Sequence, residues 1–151
     1  MSNAAISSEK IFDAVLGNEN GLYNVVYLYG AVDATGKLID RIAEEVKAQN
    51  PDWLVVQTTG TVFCREFISG VRCGEISTWQ KSLQGDVLLL DDIEAVAGHE
   101  SMEQFLYGLL DWYLERKKQI VVAGQVPLKD ISNLAPRICA QLSGGISLYV
   151  E

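Results

Sequence analysis

The stretch Asp86-Val87-Leu88-Leu89-Leu90-Asp91-Asp92 decides the fold reading. Four apolar residues in a row, closed by two carboxylates, describe a strand covered on both faces, because a strand with one wet face would alternate. A similar run, residues 119–123, follows downstream. Three further strand candidates lie at residues 25–29, ended by Gly30, at 53–57 after the Asn50-Pro51-Asp52 break, and at 146–150. Helical period fills the gaps. Ile39, Ile42, Ala43 and Val46 recur at i, i+3, i+4, i+7, and residues 101–115 read as a longer helix opened by a Ser101 cap. Shorter helices are expected at residues 62–69, 75–83 and 134–142. Strands alternating with helices give an α/β fold around a five-stranded parallel sheet, with the third and fourth strands near its centre. The basic triplet Arg116-Lys117-Lys118 falls where cations suit a helix C-terminus, which explains it without a nucleic-acid patch.

Composition bounds the function. A chain of 151 residues is one ordinary domain, and its 12 Lys+Arg against 20 Asp+Glu leave a net charge of −8. Strong sequence-independent attraction to phosphate backbones needs clustered cations, so a dedicated nucleic-acid clamp is not expected. Hydrophobic residues at 48% and charged ones at 21% suit a packed domain. No apolar run nears the roughly 20 residues of a membrane span, and Met1 to Ala5 lacks a signal-peptide start, so the expectation is a cytoplasmic protein without a membrane partner. Residues 1–9 read as a tag remnant and flexible N-terminus, with Ser2-Asn3-Ala4 resembling a cloning scar, and residues 10–151 as the domain. Cys64, Cys73 and Cys139 lack metal-site spacing and are expected to be reduced and at least partly buried. His99, the single histidine, has no nucleophile beside it.

In a parallel sheet, ligands sit at the carboxyl ends of the strands. After the first strand comes Gly30-Ala31-Val32-Asp33-Ala34-Thr35-Gly36-Lys37-Leu38, the context of a phosphate-binding loop of pattern G-x-x-x-x-G-K-[ST]. The match is defective in two ways, and both registers stay open. With Gly36-Lys37 as the G-K, the loop is one residue too long and Leu38 stands at the Mg²⁺-binding hydroxyl. At normal length, Gly36 replaces the lysine and Lys37 the Ser/Thr. Asp33 adds a carboxylate to a loop that would hold an anion. At the end of the third strand, Asp91 and Asp92 match the Walker B pattern, in which the first acid holds the Mg²⁺ shell and the second orients the attacking water. A pair without that chemistry is expected to be structural, bonding backbone N–H groups or Lys37, so that Asp91→Asn weakens the fold.

Residues 86–100, followed by Phe105 and by Lys118-Gln119-Ile120-Val121-Val122, closely resemble the Walker B to sensor I region of the AAA+ ATPase domain of the bacterial replication initiator DnaA family. Tyr29-Gly30-Ala31-Val32 is similar to the start of that family's phosphate loop, residues 12–20 to its opening box, and residues 138–146 to the box closing its base domain. The resemblance implies a three-layer P-loop NTPase (AAA+ base) fold with strand order 5-1-4-3-2, without lid or helix-turn-helix in this chain. It also implies site residues: Asp91 and Asp92 as catalytic acids, Asp91 on Mg²⁺, Gly30, Gly36, Lys37 and Gln125 around ATP, and Ile68 against single-stranded DNA. The departures are equally specific. The sensor's following arginine is Val126, the arginine finger is Gln141 although Arg137 is kept, a DNA-contacting arginine is Ser101, and the helix beside the adenine is shortened. The expected function is therefore replication initiation or its regulation by a domain degenerate in ATP binding and hydrolysis. Such a domain would act through replication proteins or self-association and touch origin DNA only weakly. The alternatives are an ATP-binding initiator module that oligomerises on origin DNA, and a degenerate P-loop domain unrelated to replication.

Overall fold

The computed structural model describes residues 24–151; the expected tag remnant and opening box lie outside them. Five parallel strands, β1 (Val26–Gly30), β2 (Val55–Thr59), β3 (Val87–Asp91), β4 (Gln119–Gly124) and β5 (Ile146–Val150), form one sheet in the order β2-β3-β4-β1-β5. Helices α1 (Val32–Gln49), α2 (Gly60–Cys73), α3 (Ile76–Ser82), α4 (Glu100–Glu115) and α5 (Pro136–Leu142) connect them. This is the three-layer fold and strand order expected, with β3 and β4 inside the sheet.

Alternation along each strand builds two cores. Val26, Leu28, Val87, Leu89, Val121 and Ala123 face Leu38, Ile39, Ile42 and Val46 of α1. On the opposite face Tyr27, Leu88, Leu90, Ile120 and Val122 pack with Phe63 of α2, Leu106, Leu110 and Tyr113 of α4, and Ile138 of α5. Both faces of the central strands are thus dry, as near-continuous apolar runs require.

Four local expectations are corrected. β2 begins at Val55, two residues late, because Trp53 and Leu54 are 47% and 55% exposed and the Leu54 N–H donates to the Asp86 carboxylate at 2.8 Å. α4 begins at Glu100 with His99 as its N-cap and no side-chain cap bond, so Ser101 is not the cap. Cys73 is exposed, unlike the half-buried Cys64 and Cys139; all three are free. The largest difference is at residues 30–38. The loop expected there is helical from Val32 onward, with the Thr35 N–H already bonded to the Ala31 carbonyl at 3.0 Å. A buried apolar stripe beginning at Leu38 makes α1 a sheet-packing helix, and Asp33 in its first turn favours the same start.

Two members of the basic triplet have partners within the fold. Lys118 Nζ lies 3.1 Å from Asp86 Oδ1, and the Arg116 guanidinium covers the Trp112 ring at 4.4 Å.

Candidate functional site

β1 and β4 are neighbours whose connections leave toward opposite faces of the sheet, and a crevice opens beyond their carboxyl ends. A cleft of about 330 Å³ lies there, floored by Gly124 and Gln125 at the end of β4, walled by Val32 and Thr35 of α1, and closed by Thr59 and the turn after β3. Among the described residues, Asp91, Asp92 and Glu94 supply its ionisable groups, and no Lys, Arg or His lines it.

Each carboxylate is positioned through one oxygen. Asp91 Oδ1 accepts the Asp92 N–H at 2.8 Å, and Asp91 Oδ2 faces Gly36, where an added Cβ would lie 3.6 Å away. Asp92 adopts a left-handed backbone with φ of 56°, a conformation that Asp tolerates better than most residues. Its Oδ2 accepts the Thr61 hydroxyl at 2.8 Å, fixing it to the first turn of α2. That turn can approach because residue 60 is glycine; a Cβ there would collide with the Asp92 carbonyl oxygen. Glu94 Oε2 accepts the Gln125 N–H at 2.6 Å, while Glu94 Oε1 is sealed from solvent with no hydrogen-bond partner. Gly124 makes room for this arrangement, since a Cβ would strike the Tyr27 hydroxyl and stand 2.9 Å from Glu94 Oε2. The Tyr27 hydroxyl in turn donates to the Val126 carbonyl at 2.7 Å.

Burial, and then the charges of Asp92, Glu94 and Asp40, push the Asp91 carboxyl above the usual range, against the opposing pull of the Asp92 N–H. Burial and the nearby Asp92 charge raise the Cys64 thiol as well, which leaves it a poor nucleophile at neutral pH.

The structure brings Asp91, Asp92 and Gln125 to one cleft, with Gly36 abutting Asp91. Gly30 is packed elsewhere, against the Val150 carbonyl. Lys37 is exposed on α1, and no ion pair joins it to Asp91. Ile68, 43% exposed on α2, lies outside the cleft. Gln141 does not project outward: its Nε2 donates to the Tyr107 carbonyl at 3.1 Å, and Arg137 stacks on the Tyr107 ring at 4.6 Å. Sequence reading missed Glu94, whose only signal is a carboxylate three residues beyond Asp91.

Among the described residues, the segment expected to form a phosphate loop is wound into α1. A phosphate cradle needs several free backbone N–H groups aimed at one point, whereas from Thr35 onward these groups are committed to the α1 ladder. Thr35 itself is 1% exposed, and its hydroxyl donates back to the Ala31 and Val32 carbonyls. Among the described residues no three His, Cys, Asp or Glu side chains are arranged to hold a metal ion.

Against known proteins, the family described as the bacterial DnaA ATPase domain matches residues 3–149. The chromosomal replication initiator protein DnaA of Lachnoclostridium phytofermentans is 30% identical over 143 residues, covering 91% of this chain and 31% of that one. The chain spans less than a third of the length of the curated relatives it matches. Domain III of the Thermotoga maritima replication initiation protein DnaA superposes with a TM-score of 0.86 at 20% identity, covering 99% of this chain and 65% of that one. AMPPCP-bound DnaA from Aquifex aeolicus gives 0.86 at 23% identity, covering 99% and 49%. These structural likenesses establish the fold.

Proposed function

The chain belongs to the bacterial DnaA ATPase domain family, and on that premise we propose that it acts in initiating or regulating chromosome replication as a protein-interaction module that has lost nucleotide turnover. The observation that carries this reading is the helical path of residues 32–37. Winding residues 32–37 into α1 leaves fewer backbone donors than a phosphate loop offers, since those from Thr35 onward are spent on the helix, and the three carboxylates of the cleft repel phosphate. Asp91 and Asp92 then remain as structural acids, one holding the turn after β3 and the other tying that turn to α2. The inward-turned Gln141 supports the same reading, since it offers no cation to a neighbouring subunit.

Calorimetric titration of the chain with Mg-ATP tests it. The expected result is no saturable heat below millimolar nucleotide, because each missing charge-assisted phosphate contact forfeits roughly 1.5–3 kcal/mol. A submicromolar Kd would overturn this reading and restore the ATP-binding initiator module, which the nucleotide-bound state of the Aquifex relative favours.

A further inference from the structure

The side of α2 turned away from the core carries an amphipathic stripe that the described residues leave uncovered. We propose that this stripe docks an acidic amphipathic helix of a protein partner. The inference names a partner for the interaction-module reading and rests on it.

Helical spacing sets the stripe. Phe63, Phe67 and Gly70 form the buried side of α2. At about 100° per residue, Arg65 and Arg72 fall opposite them, roughly two turns and 10 Å apart along the axis, with Ile68 and Val71 along one flank of the pair. Both arginines are exposed, and among the described residues neither joins an ion pair. Ile68 and Val71 are 43% and 57% exposed, one turn apart. The apolar pair gains by being covered, and the two guanidiniums select what covers it. The helix is also held ready. Thr59 Oγ1 accepts the Val62 N–H at 3.1 Å at its start, and Gly74, left-handed at φ of 67°, closes its end. A capped, rigid helix gives up little freedom on binding.

Charge decides the occupant. Pairing α2 with its own copy about a two-fold axis sets four arginines against one another, which opposes a homodimer through this face. A single nucleic-acid strand is held by a longer run of cations and by exposed rings that stack its bases. Here Trp79 of α3 is turned in against Phe63 and Phe67, and α4 opens on Glu100 and Glu103. The Trp79 indole also donates to Glu66 Oε1 at 3.0 Å, which holds that carboxylate toward α3 and away from the arginines. What complements the stripe is a helix with its own apolar face and with Asp or Glu two turns apart beside it. Helices packed at a shallow angle keep a two-turn spacing in register, so each carboxylate meets one guanidinium, a pair that forms two parallel hydrogen bonds.

The test is two-dimensional ¹⁵N NMR of the whole chain, titrated with three synthetic helices that share one apolar face and carry Glu, Gln or Lys at two flank positions two turns apart. An oligothymidylate of about 12 nucleotides at about 0.15 M salt is the nucleic-acid arm. The Glu helix is expected to shift the amides of residues 65–72 saturably, with a Kd on the order of 0.1 mM, and the Lys helix to bind at least about tenfold more weakly, with the Gln helix between them. Arg65→Glu combined with Arg72→Glu, both at exposed positions, should reverse that preference, a result that loss of folding cannot imitate. Absence of binding by the Glu helix, shifts centred away from α2, or equal affinity for the Glu and Lys helices would each overturn the proposal. Displacement of the Glu helix by the oligothymidylate, with saturable shifts on α2, would also overturn it and assign the face to nucleic acid. Submicromolar binding of Mg-ATP would overturn the interaction-module reading, and this inference with it. Failure of the Glu helix without nucleotide binding removes the inference alone.

Discussion

Replacing Tyr113 by Phe should destabilise the fold by about 2–6 kcal/mol, because it strands two buried backbone groups at once. The Tyr113 hydroxyl donates to the Leu83 carbonyl at 2.6 Å and accepts the Gly85 N–H at 2.8 Å. Leu83 and Gly85 are both buried. Phe keeps the ring and its edge contact with Trp112 at 4.9 Å between centroids, so little apolar packing changes. What is lost is one acceptor and one donor, and each left unsatisfied costs roughly 1–3 kcal/mol. For 151 residues, a loss near the middle of that range lowers Tm by roughly 10 °C. The effect should concentrate where residues 83–85 feed into β3, the strand that ends on Asp91. A pH arm adds a sign. Burial, opposed by the Gly85 N–H and aided by the Asp86 charge, pushes the Tyr113 hydroxyl up from 10.0 to about 12. A raised folded pKa means stability fully present below the unfolded value and lost as pH rises through the folded one. Wild type should therefore weaken between pH 10 and about 12 by an increment that the Phe variant lacks. Urea melts measure both. A midpoint shift equivalent to less than about 1 kcal/mol at neutral pH, with unchanged slope, would refute the argument.

Asp91→Asn should stabilise the chain at pH 7, reversing the expectation drawn from sequence. Its carboxyl is raised by burial and then by acidic neighbours, so its contribution is favourable below 3.8 and turns into a cost as pH climbs through the raised value; Asn can keep accepting the Asp92 N–H. The gain should be about 0.5–2 kcal/mol, vanishing toward pH 3, and a lower thermal midpoint at pH 7 would contradict it. Single-stranded DNA should bind weakly at physiological salt, because α4 opens on Glu100, Ser101 and Glu103 rather than on a cation. Fluorescence anisotropy giving a Kd tighter than micromolar would count against that.

Most of the sheet could be read from the chain because burial on both faces leaves an unbroken apolar run at β3 and β4, a pattern with few competing explanations. β2 slipped because Trp53 and Leu54 are apolar yet exposed, and hydrophobicity alone does not separate a ladder residue from one just before it. The start of α1 was hidden for another reason. Ala31 caps it without a side-chain hydrogen bond, so the usual Ser, Thr, Asp or Asn signal is missing, and the glycines at 30 and 36 suggest a loop. Asp91 and Asp92 were identifiable by position at a strand end, and Gln125 through resemblance. Glu94 was not, since its place beside Gly124 depends on a turn after β3 meeting the end of β4, a contact between residues 30 apart that no local pattern encodes.

The early start of α1 also bears on how this lineage diverged and whether the change is reversible. Writing lysine at Gly36 and threonine at Lys37 would restore two letters of a phosphate loop, with Thr35 still at its second glycine, without restoring its path, because residues 32–37 are wound at about 1.5 Å per residue and their N–H groups point along the helix axis. More than a turn would have to unwind first, releasing the inward Thr35 and its two carbonyl partners. On the proposed function, divergence here is stored in the backbone, and side-chain grafting addresses the wrong variable.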